Sequence, residues 1–578
     1  MARGIGFEVC ITMEERRESA FRFLDDPEKR KILTKAGVAG LVVVAVAFLV
    51  LIVNSSSYPD ELYIDSVATP VATQVRQIKM DRPYYNKRVQ TKTVDFYKRN
   101  NGKTRWLEYK KPTKFYSTYV ASIKDAARYG LDPNHYDLET IVNAVDSLYE
   151  NNKRKPEDVA ALDVKITASF LLFTTHLIEG RIRTAGYGDF IWEKNIPNED
   201  DVDLLLANSS GKLSDIIEEL HPDVDQYERM EKALRDYRTI EDKFRIRLTG
   251  KSGAIKPGTK DAAIPGIRRR LSLTDVKPYS PEDSLFYDDK LEDAVKQFQL
   301  RHGLEQDGII STATLAYLNQ SFGKKADLIE LNLERLRWLP REQADDYIYI
   351  NIPEYLLRLY KNGKEKLEMR VVLGTEFTST PVFTDTLEYI VFSPTWNVPT
   401  SILEEEFLPK LQEDPNVFDP ERFMILKNGE KIEPEDVDWE DKDLNIEEYR
   451  MVENPGEMNS LGRVKFMMPN NFNIYLHDTP AEKLFQKNKR AYSHGCVRLE
   501  RPIDLAKFLL DESGEKWTDE EISEAMQKEE PVNVPLKKKY PVQIEYRTVW
   551  VDDDGLVHFR EDLYDHDQRH IAMLKKID

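Results

Sequence analysis

An uncharged stretch near the N-terminus, AGVAGLVVVAVAFLVLIV, constrains this chain more than any other feature. It covers residues 36–53, and a helix of that length spans roughly 27 Å, close to the hydrocarbon thickness of a bilayer. Four basic residues lie just before it: Lys29, Arg30, Lys31 and Lys35. The alternative is a cleaved signal peptide, but the preceding segment is too long and no small-residue cleavage site follows. We therefore predict a single-pass transmembrane helix, with residues 1–35 in the cytoplasm and the rest outside.

This topology separates the two cysteines of the chain. Cys10 is predicted inside and Cys496 outside, so the two cannot form a disulfide within one chain. An unpaired cysteine outside the cytoplasm either pairs between chains or keeps a free thiol. Thiol chemistry is therefore a candidate function.

The charge balance excludes one class of partner. The 83 Lys and Arg residues against 102 Asp and Glu residues give a net charge of −19. A nucleic-acid-binding protein needs basic surfaces that displace counterions, so we predict no nucleic-acid partner.

Composition and periodicity divide the exported part into four regions. A helical scaffold, a small helical unit, a strand-rich domain and a tail are predicted at 58–250, 262–320, 345–530 and 536–578. In the scaffold, DVKITASFLLFTTHLIEG is predicted as an apolar helix that stops at Gly180. Residues 407–454 are charged and proline-containing, and we interpret them as a mobile insertion in the strand-rich domain. The predicted fold class is multidomain α+β.

The small helical unit contains KLEDAVKQFQLRHGLEQDGIISTATLAYLN. Leu291, Val295 and Phe298 lie on one helical face together with Ala294, and Ser311 is a candidate cap for the next helix. Any helical hairpin would fit this spacing. The segments AVKQFQLRHGL, DG and TLAYLN resemble the three-helix peptidoglycan-binding module, and this resemblance implies a cell-wall ligand.

The strand-rich domain and the tail show alternating patterns. DYIYINIP and LLRLYKNGKEKLEMRVVLG are predicted as strands, the second run with an Asn-Gly hairpin turn. The tail is predicted as a hairpin over DDDG that returns to the sheet. His558, His566 and His570 lack a convincing fourth ligand, and we predict that they lie on the surface.

Two short runs carry the candidate chemistry. In FNIYLHDTP, alternation places Tyr475 and His477 on one face of a strand. In SHGCVRL, an extended chain projects His494, Cys496 and Arg498 to one face. The other side chains of that run, Ser493, Gly495 and Val497, point away.

A thiol beside an imidazole is suited to nucleophilic catalysis. A free cysteine with a pKa near 8.5 is only a few per cent thiolate at pH 7, and an imidazole within reach can take its proton. On this reasoning the pKa of Cys496 is expected to be depressed, and the backbone N–H groups of Gly495 and Cys496 are candidate oxyanion donors. Two alternatives remain at this point: the cysteine is a small buried apolar residue, or His477, His494 and Cys496 bind zinc.

The longer run resembles a known catalytic signature. NPGEMNSLGRVKFMMPNNFNIYLHDTP followed by FQKNKRAYSHGCVRLERP is similar to the L,D-transpeptidases, the YkuD-like family, in which a histidine precedes Ser/Thr-His-Gly-Cys by about fifteen residues. The resemblance implies that Cys496 is the acylated nucleophile, His477 the general base and His494 a supporting catalytic residue. It also implies a substrate-binding set: Arg498, Gly495, Ser493, Tyr475 and Trp396. It implies no metal and no cofactor, and it identifies residues 407–454 as a capping insertion.

The resemblance further implies acyl transfer on peptidoglycan stem peptides. Cys496 would form a thioester with a tetrapeptide stem, expel D-Ala, and pass the acyl group to a neighbouring stem as a 3→3 cross-link. Transfer to water (an L,D-carboxypeptidase), transfer to an envelope protein, and a non-catalytic wall-binding anchor are the alternatives. The implied location is the bacterial inner membrane with the catalytic part in the periplasm, and other cell-wall synthesis proteins are further candidate partners.

Overall fold

The computed structural model describes residues 87–100, 102–150, 154–182, 217, 220, 222, 225–243, 254–274, 285–339, 344–514 and 516–577. The predicted cytoplasmic segment and transmembrane helix, with Cys10, lie outside the described residues. Within the described part, the helix Pro156–Glu179 is the one that is long and apolar enough to cross a membrane. The most apolar 18 residues of this helix are 72% buried in protein. That helix is a core element, and the anchor at 36–53 stays a prediction.

The scaffold is helical, as predicted. Its helices α1–α5 are Lys87–Arg99, Lys114–Lys124, Leu138–Glu150, Pro156–Glu179 and Asp225–Lys243. The central helix α4 begins with Pro156 in its first turn, where a missing N–H costs nothing, and stops at Gly180. Gly180 has φ of 75°, and a Cβ there would lie 2.2 Å from Glu334 Oε1, so only glycine fits.

A buried carboxylate ties the first part of the scaffold to α4. Asp163 accepts hydrogen bonds from the Tyr97 hydroxyl at 2.5 Å and from the backbone N–H groups of Trp106 and Leu107 at 2.7 and 2.8 Å. Its Oδ1 also accepts the N–H of Arg105 at 3.1 Å. Four donors converge on one fully buried side chain, which fixes the loop before α2 against the helix core.

The small helical unit has the three predicted helices. These are α6 Ile264–Leu271, α7 Asp289–Arg301 and α8 Thr312–Asn319. Leu291, Val295 and Phe298 are buried in its core, and the Ser311 hydroxyl accepts the N–H of Thr314 at 3.2 Å as an N-cap. Both expectations for this unit are confirmed.

Helix α9, Phe322–Leu336, lies between two hydrophobic cores. Ile329 and Leu333 pack in the helical core of the scaffold, whereas Leu331 packs in the core of the strand-rich domain. One helix therefore contributes side chains to both domains.

The strand-rich domain is built on a nine-stranded sheet of order β11-β3-β12-β10-β9-β4-β13-β1-β2. The strands are β1 Tyr347–Asn351, β2 Leu356–Lys361, β3 Lys364–Gly374, β4 Phe383–Phe392, β9 Val464–Met467, β10 Leu476–His477, β11 Ala491–Ser493, β12 Val497–Leu499 and β13 Val532–Glu545. β3 also pairs with β2, so the sheet curls back on itself. Helices α12 Pro502–Glu512 and α13 Asp519–Ala525 contribute to the apolar core on one face.

The insertion folds as a separate subdomain with its own core. Its four-stranded sheet has the order β5-β8-β6-β7, with β5 Trp396–Asn397, β6 Phe423–Lys427, β7 Glu430–Ile432 and β8 Tyr449–Glu453. Between β5 and β6 lie α10 Thr400–Ile402, a π-helical turn Leu403–Phe407, and α11 Leu408–Glu413. Because Trp396 pairs with Glu453, this subdomain begins before the predicted start at residue 407.

The tail contributes to two domains. β13 lies beyond the predicted domain end at residue 530, yet it pairs with β1 and β4 inside the sheet. The predicted hairpin is present as β14 Val549–Val551 and β15 Val557–Phe559. The expectation that this hairpin returns to the sheet is wrong, because its apolar residues pack in the helical core of the scaffold.

None of the three histidines predicted on the surface is exposed. The side chain of His558 is only 13% exposed, and its Nε2 lies 2.7 Å from Asp552 Oδ2. His570, in the last helix α14 (His566–Ile577), is fully buried between the guanidinium of Arg335 and the ring of Trp338. Burial lowers the pKa of His566 to about 3. The surface prediction failed because α14 packs on α9, a contact that residue spacing does not reveal.

We expect Asp163→Ala to destabilise the scaffold by about 3–5 kcal/mol, because it leaves three backbone N–H groups without their acceptor and removes one of the two partners of the Tyr97 hydroxyl. The measurement is urea unfolding followed by helical circular dichroism. The control is Asp146→Ala on the exposed side of α3, which should cost no more than about 0.5 kcal/mol. Equal effects of the two variants would contradict this role for Asp163.

Candidate active site

The two predicted catalytic runs meet because β10 and β12 are parallel neighbours. Leu476 is the partner of Val497 and His477 the partner of Arg498, and the N–H of Val497 donates to the Tyr475 carbonyl at 3.1 Å. Parallel strands need a crossover connection of a dozen or more residues. The spacing between His477 and the Ser-His-Gly-Cys run is the length of that crossover.

The predicted alternation in the Ser-His-Gly-Cys-Val-Arg run is present. His494 is exposed and Cys496 and Arg498 are half-buried on the open side, whereas Ser493, Gly495 and Val497 are buried. The thiol therefore faces the open side of the sheet, where a substrate has access to it.

Ser493 braces this turn from beneath. Its hydroxyl donates to the Cys496 carbonyl at 2.6 Å and accepts the N–H of Gly495 at 3.1 Å. The predicted substrate-binding role does not fit, since Ser493 is buried and its hydroxyl is used within the turn. The bond from Gly495 also occupies one of the two candidate oxyanion donors. Among the described residues the Cys496 N–H has no hydrogen-bond partner, so it is the donor that stays available.

Gly495 is required by conformation. Its φ of 114° lies in a region that L side chains rarely adopt, and an added Cβ would lie 3.3 Å from Ile474 Cδ1. Glycine here lets the chain turn sharply between the brace at Ser493 and the thiol.

A threonine-rich loop after β3 holds the same turn from the side. Thr378 Oγ1 donates to the Ser493 carbonyl at 3.0 Å and Thr380 Oγ1 donates to the Gly495 carbonyl at 2.8 Å. The Tyr564 hydroxyl, from the C-terminal tail, accepts the N–H of Thr380 at 3.2 Å and donates to the Gly374 carbonyl at 2.8 Å. Residues from three distant parts of the sequence therefore position the cysteine.

The thiol of Cys496 is half-buried and lies among polar groups. The Tyr475 hydroxyl hydrogen-bonds to it and is itself hydrogen-bonded by the Trp396 side chain. The thiol donates weakly to the Asn473 carbonyl at 3.7 Å. Burial raises the pKa of Cys496, and Tyr475, Arg498 and Lys465 only partly oppose that effect. The expected depression of the Cys496 pKa is therefore reversed.

His477 is held in one orientation and kept neutral. Its Nδ1 lies 2.6 Å from the Asp478 carbonyl, so Nδ1 carries a proton there, and the Leu461 backbone is a second hydrogen-bond partner of the ring. Burial, followed by the nearby charge of Arg498, lowers the pKa of His477 to about 3. Within the described residues no hydrogen bond joins this imidazole to the thiol, so the resting site holds a neutral thiol and a neutral imidazole.

His494 connects the turn to the insertion subdomain. Its Nε2 lies 2.8 Å from Oε1 of Glu406, which belongs to the π-helical turn of that subdomain. Trp396, in the first strand of the same subdomain, contacts the Tyr475 hydroxyl. The subdomain therefore reaches the site at two points.

Sequence reasoning missed two charged residues of this site, Lys465 and Glu406. Lys465 is the partner of His477 across β9 and β10, and its Nζ lies 5.7 Å from the centre of the Tyr475 ring. The run VKFM before the histidine motif offered a signal for Lys465, since a lysine interrupts an otherwise apolar strand. Glu406 had no such signal, because it lies ninety residues from Cys496 in a run of three acidic residues.

The zinc alternative finds no ligand group in the described part of the chain. No three or more His, Cys, Asp or Glu side chains come together there as a metal site, and His477, His494 and Cys496 do not converge.

Comparison with known families gives three matched regions. Residues 345–543 match the L,D-transpeptidase catalytic domain, YkuD. Residues 91–234 match a family described as scaffold domain, and residues 270–318 match one described as "Putative peptidoglycan binding domain".

A curated relative and solved structures are similar to parts of the chain. A Haemophilus influenzae protein named "Putative L,D-transpeptidase" is 37% identical over 242 residues, which are 42% of this chain and 48% of that protein. The chain thus spans about half the length of that relative. An L,D-transpeptidase from Mycobacterium smegmatis is 11% identical, with 35% of this chain and 59% of that one covered and a TM-score of 0.16. One from Xylanimonas cellulosilytica is 11% identical, with 51% and 100% covered and a TM-score of 0.17.

Because burial raises its pKa, we expect Cys496 to ionise at a higher pH than an ordinary thiol. The thiol keeps its proton below that pKa, so the iodoacetamide alkylation rate should reach half its maximum at a higher pH than for glutathione. The full chain with Cys10→Ser makes Cys496 the only thiol.

Tyr475→Phe removes a donor to the sulfur and should raise the midpoint further, whereas Tyr492→Phe, at an exposed tyrosine of the neighbouring strand, should leave it unchanged. A midpoint below that of glutathione would show that the thiol is activated in the resting state.

Proposed function

The chain carries an L,D-transpeptidase catalytic domain together with a scaffold domain and a peptidoglycan-binding domain, and we propose that it cross-links peptidoglycan stem peptides through a thioester on Cys496. The observation that carries this proposal is the placement of Cys496 on the open face beside the Tyr475 hydroxyl, with His477 on the adjoining strand.

The first half-reaction is acylation of the cysteine. Cys496 Sγ attacks the carbonyl carbon of the third residue of a tetrapeptide stem, and the amide bond to the terminal D-Ala breaks. The thiol proton passes through the His477 imidazole to the departing amine. The free N–H of Cys496 is aimed to stabilise the oxyanion of the tetrahedral intermediate.

The neutral resting pair is consistent with this sequence of events. A thiol with a raised pKa and an imidazole with a lowered pKa do not exchange a proton before substrate arrives. Substrate binding changes the surroundings of both groups, and catalytic hydrogen bonds that are loose in a free enzyme shorten in the complex. The proton therefore moves as the S–C bond forms.

The second half-reaction returns the free enzyme. The side-chain amine of a neighbouring stem attacks the thioester carbon, the C–S bond breaks, and a 3→3 amide cross-link forms. The cysteine sulfur takes up a proton and is ready for another stem.

The other regions support this assignment. A peptidoglycan-binding domain in the same chain raises the local concentration of stem peptides. The insertion subdomain contacts the site through Glu406 and Trp396, which supports its proposed role as a cap over the substrate. The predicted anchor at 36–53 would hold the catalytic part in the periplasm, beside the wall.

Two other acceptors would use the same acyl-enzyme. Water would make the chain an L,D-carboxypeptidase, and an amine of an envelope protein would make it a protein-attachment enzyme. The shape of the cleft in the acyl-enzyme decides which of these acceptors reaches the thioester. A non-catalytic wall-binding anchor is the remaining alternative, and it requires the thiol to be incidental.

Acylation is tested by intact mass of the full chain with Cys10→Ser after incubation with purified tetrapeptide stem. We expect a mass gain equal to the stem minus D-Ala, and none for Cys496→Ala. His477→Gln should slow adduct formation by about 10²–10⁴-fold, because proton transfer is lost while the thiol is retained. Analysis of the disaccharide–peptide products then distinguishes 3→3 cross-linked dimers from hydrolysed tripeptides.

Carbapenem β-lactams provide a second acyl donor, which the family resemblance predicts will label Cys496. The control is Lys487→Gln, at an exposed lysine within the crossover, and this variant should acylate normally. A folded protein that forms no adduct with either donor would leave the wall-binding anchor as the better explanation.

A further inference from the structure

Two cations stand on either side of His477. Lys465 on β9 and Arg498 on β12 are both register partners of His477. Partner residues on neighbouring strands project to the same face of a sheet, so the three side chains form a row. This row lies on the open face, next to Cys496.

No carboxylate neutralises these cations in the described residues. The ammonium group of Lys465 makes no ion pair or hydrogen bond there, and its neighbours are the Tyr475 ring and the thiol. Arg498 has no ion pair there either, and its Nε is buried without a hydrogen-bond partner. Glu406 acts on Arg498 electrostatically, but the Oε1 of Glu406 is already bonded to His494.

Such an arrangement is unfavourable without a ligand. Burial lowers the pKa of Lys465 and the pKa of Arg498, because both charges have lost part of their hydration. An unpaired, partly buried cation costs free energy, and here two such cations flank one imidazole. An anion that both cations reach across His477 would offset that cost.

We propose that Lys465 and Arg498 form a carboxylate-binding site that holds the terminal carboxylate of the acyl donor beside Cys496. Lys465 is thereby a specificity-determining residue that contacts substrate. This inference rests on the proposed function and deepens it.

The chemistry of the donor fits such a site. The terminal carboxylate of a tetrapeptide stem is one residue beyond the attacked carbonyl, so a thiol and a carboxylate site side by side can engage both groups at once. A stem that is one residue longer moves its carboxylate away from the two cations. The carboxylate leaves together with the expelled amino acid, which clears the site before the acceptor amine attacks.

Alkylation of Cys496 by two reagents that differ in charge tests the site directly. Iodoacetate and iodoacetamide are similar in size, carry the same leaving group and attack the same thiolate. The ratio of their rates therefore cancels any change in the pKa of the thiol and reports the attraction for a carboxylate. The full chain with Cys10→Ser leaves one thiol to follow.

We expect Lys465→Met to lower the iodoacetate-to-iodoacetamide ratio by about fivefold or more. Lys465→Arg should restore it. The matched control is Lys487→Met, which makes the same chemical change at an exposed lysine 4.3 Å from the centre of the Tyr492 ring, and it should leave the ratio as in wild type. An equal fall in both variants, or no fall in Lys465→Met, overturns the proposal.

A protection experiment needs no variant and decides the matter if Lys465→Met does not fold. N-acetyl-D-alanine should slow iodoacetamide alkylation of wild type, whereas its neutral amide should not. Equal protection by the two compounds, or none by either, overturns the carboxylate site. Acylation by the tetrapeptide stem with an unchanged reagent ratio would refute this site and leave the proposed function standing. A ratio that falls as expected, without any acylation by the stem, would support the carboxylate site and contradict the proposed function.

Discussion

The parallel pairing of β10 with β12 is the contact on which the candidate site depends. It places Tyr475 beside Cys496 and His477 beside Arg498, with every one of these side chains on the same face. A hairpin could not achieve this, because antiparallel strands joined by a tight turn would reverse the second run. The crossover of residues 478–496 is therefore a structural requirement of the motif, and its length explains why histidine and cysteine are so far apart in sequence.

The turn that carries the cysteine is supported by distant parts of the chain. Ser493 braces it from beneath, Thr380 holds the Gly495 carbonyl, and Tyr564 from the tail holds the loop that contains Thr380. The tail also provides β13 in the sheet and the β14–β15 hairpin in the helical core. Together with α9, these segments join the scaffold to the sheet that positions the thiol.

The electrostatics of the candidate site favour an unreactive, protonated thiol at Cys496 in the resting state. Burial keeps the thiol protonated and the imidazole deprotonated, while Lys465 and Arg498 maintain positive potential around both. On the proposed carboxylate site, an anionic substrate would bind more strongly than a neutral one, because it would supply the missing negative charge. The insertion subdomain adds an acidic residue at the edge, Glu406, which is paired with His494.

The sequence by itself determined the local features of this protein. Alternation predicted which side of the chain Cys496, His494 and Arg498 occupy, caps and glycines predicted helix ends at Ser311 and Gly180, and motif words identified the catalytic and wall-binding regions. These features depend on neighbours within a few residues, which the sequence displays directly. Tertiary structure alone decided the rest: which strands are adjacent, that β13 belongs to the sheet, that His570 is buried, and that Lys465 flanks His477. Burial and long-range pairing also reversed the expected pKa of Cys496, since the desolvation of a thiol depends on everything packed around it and not on the residues beside it in the chain.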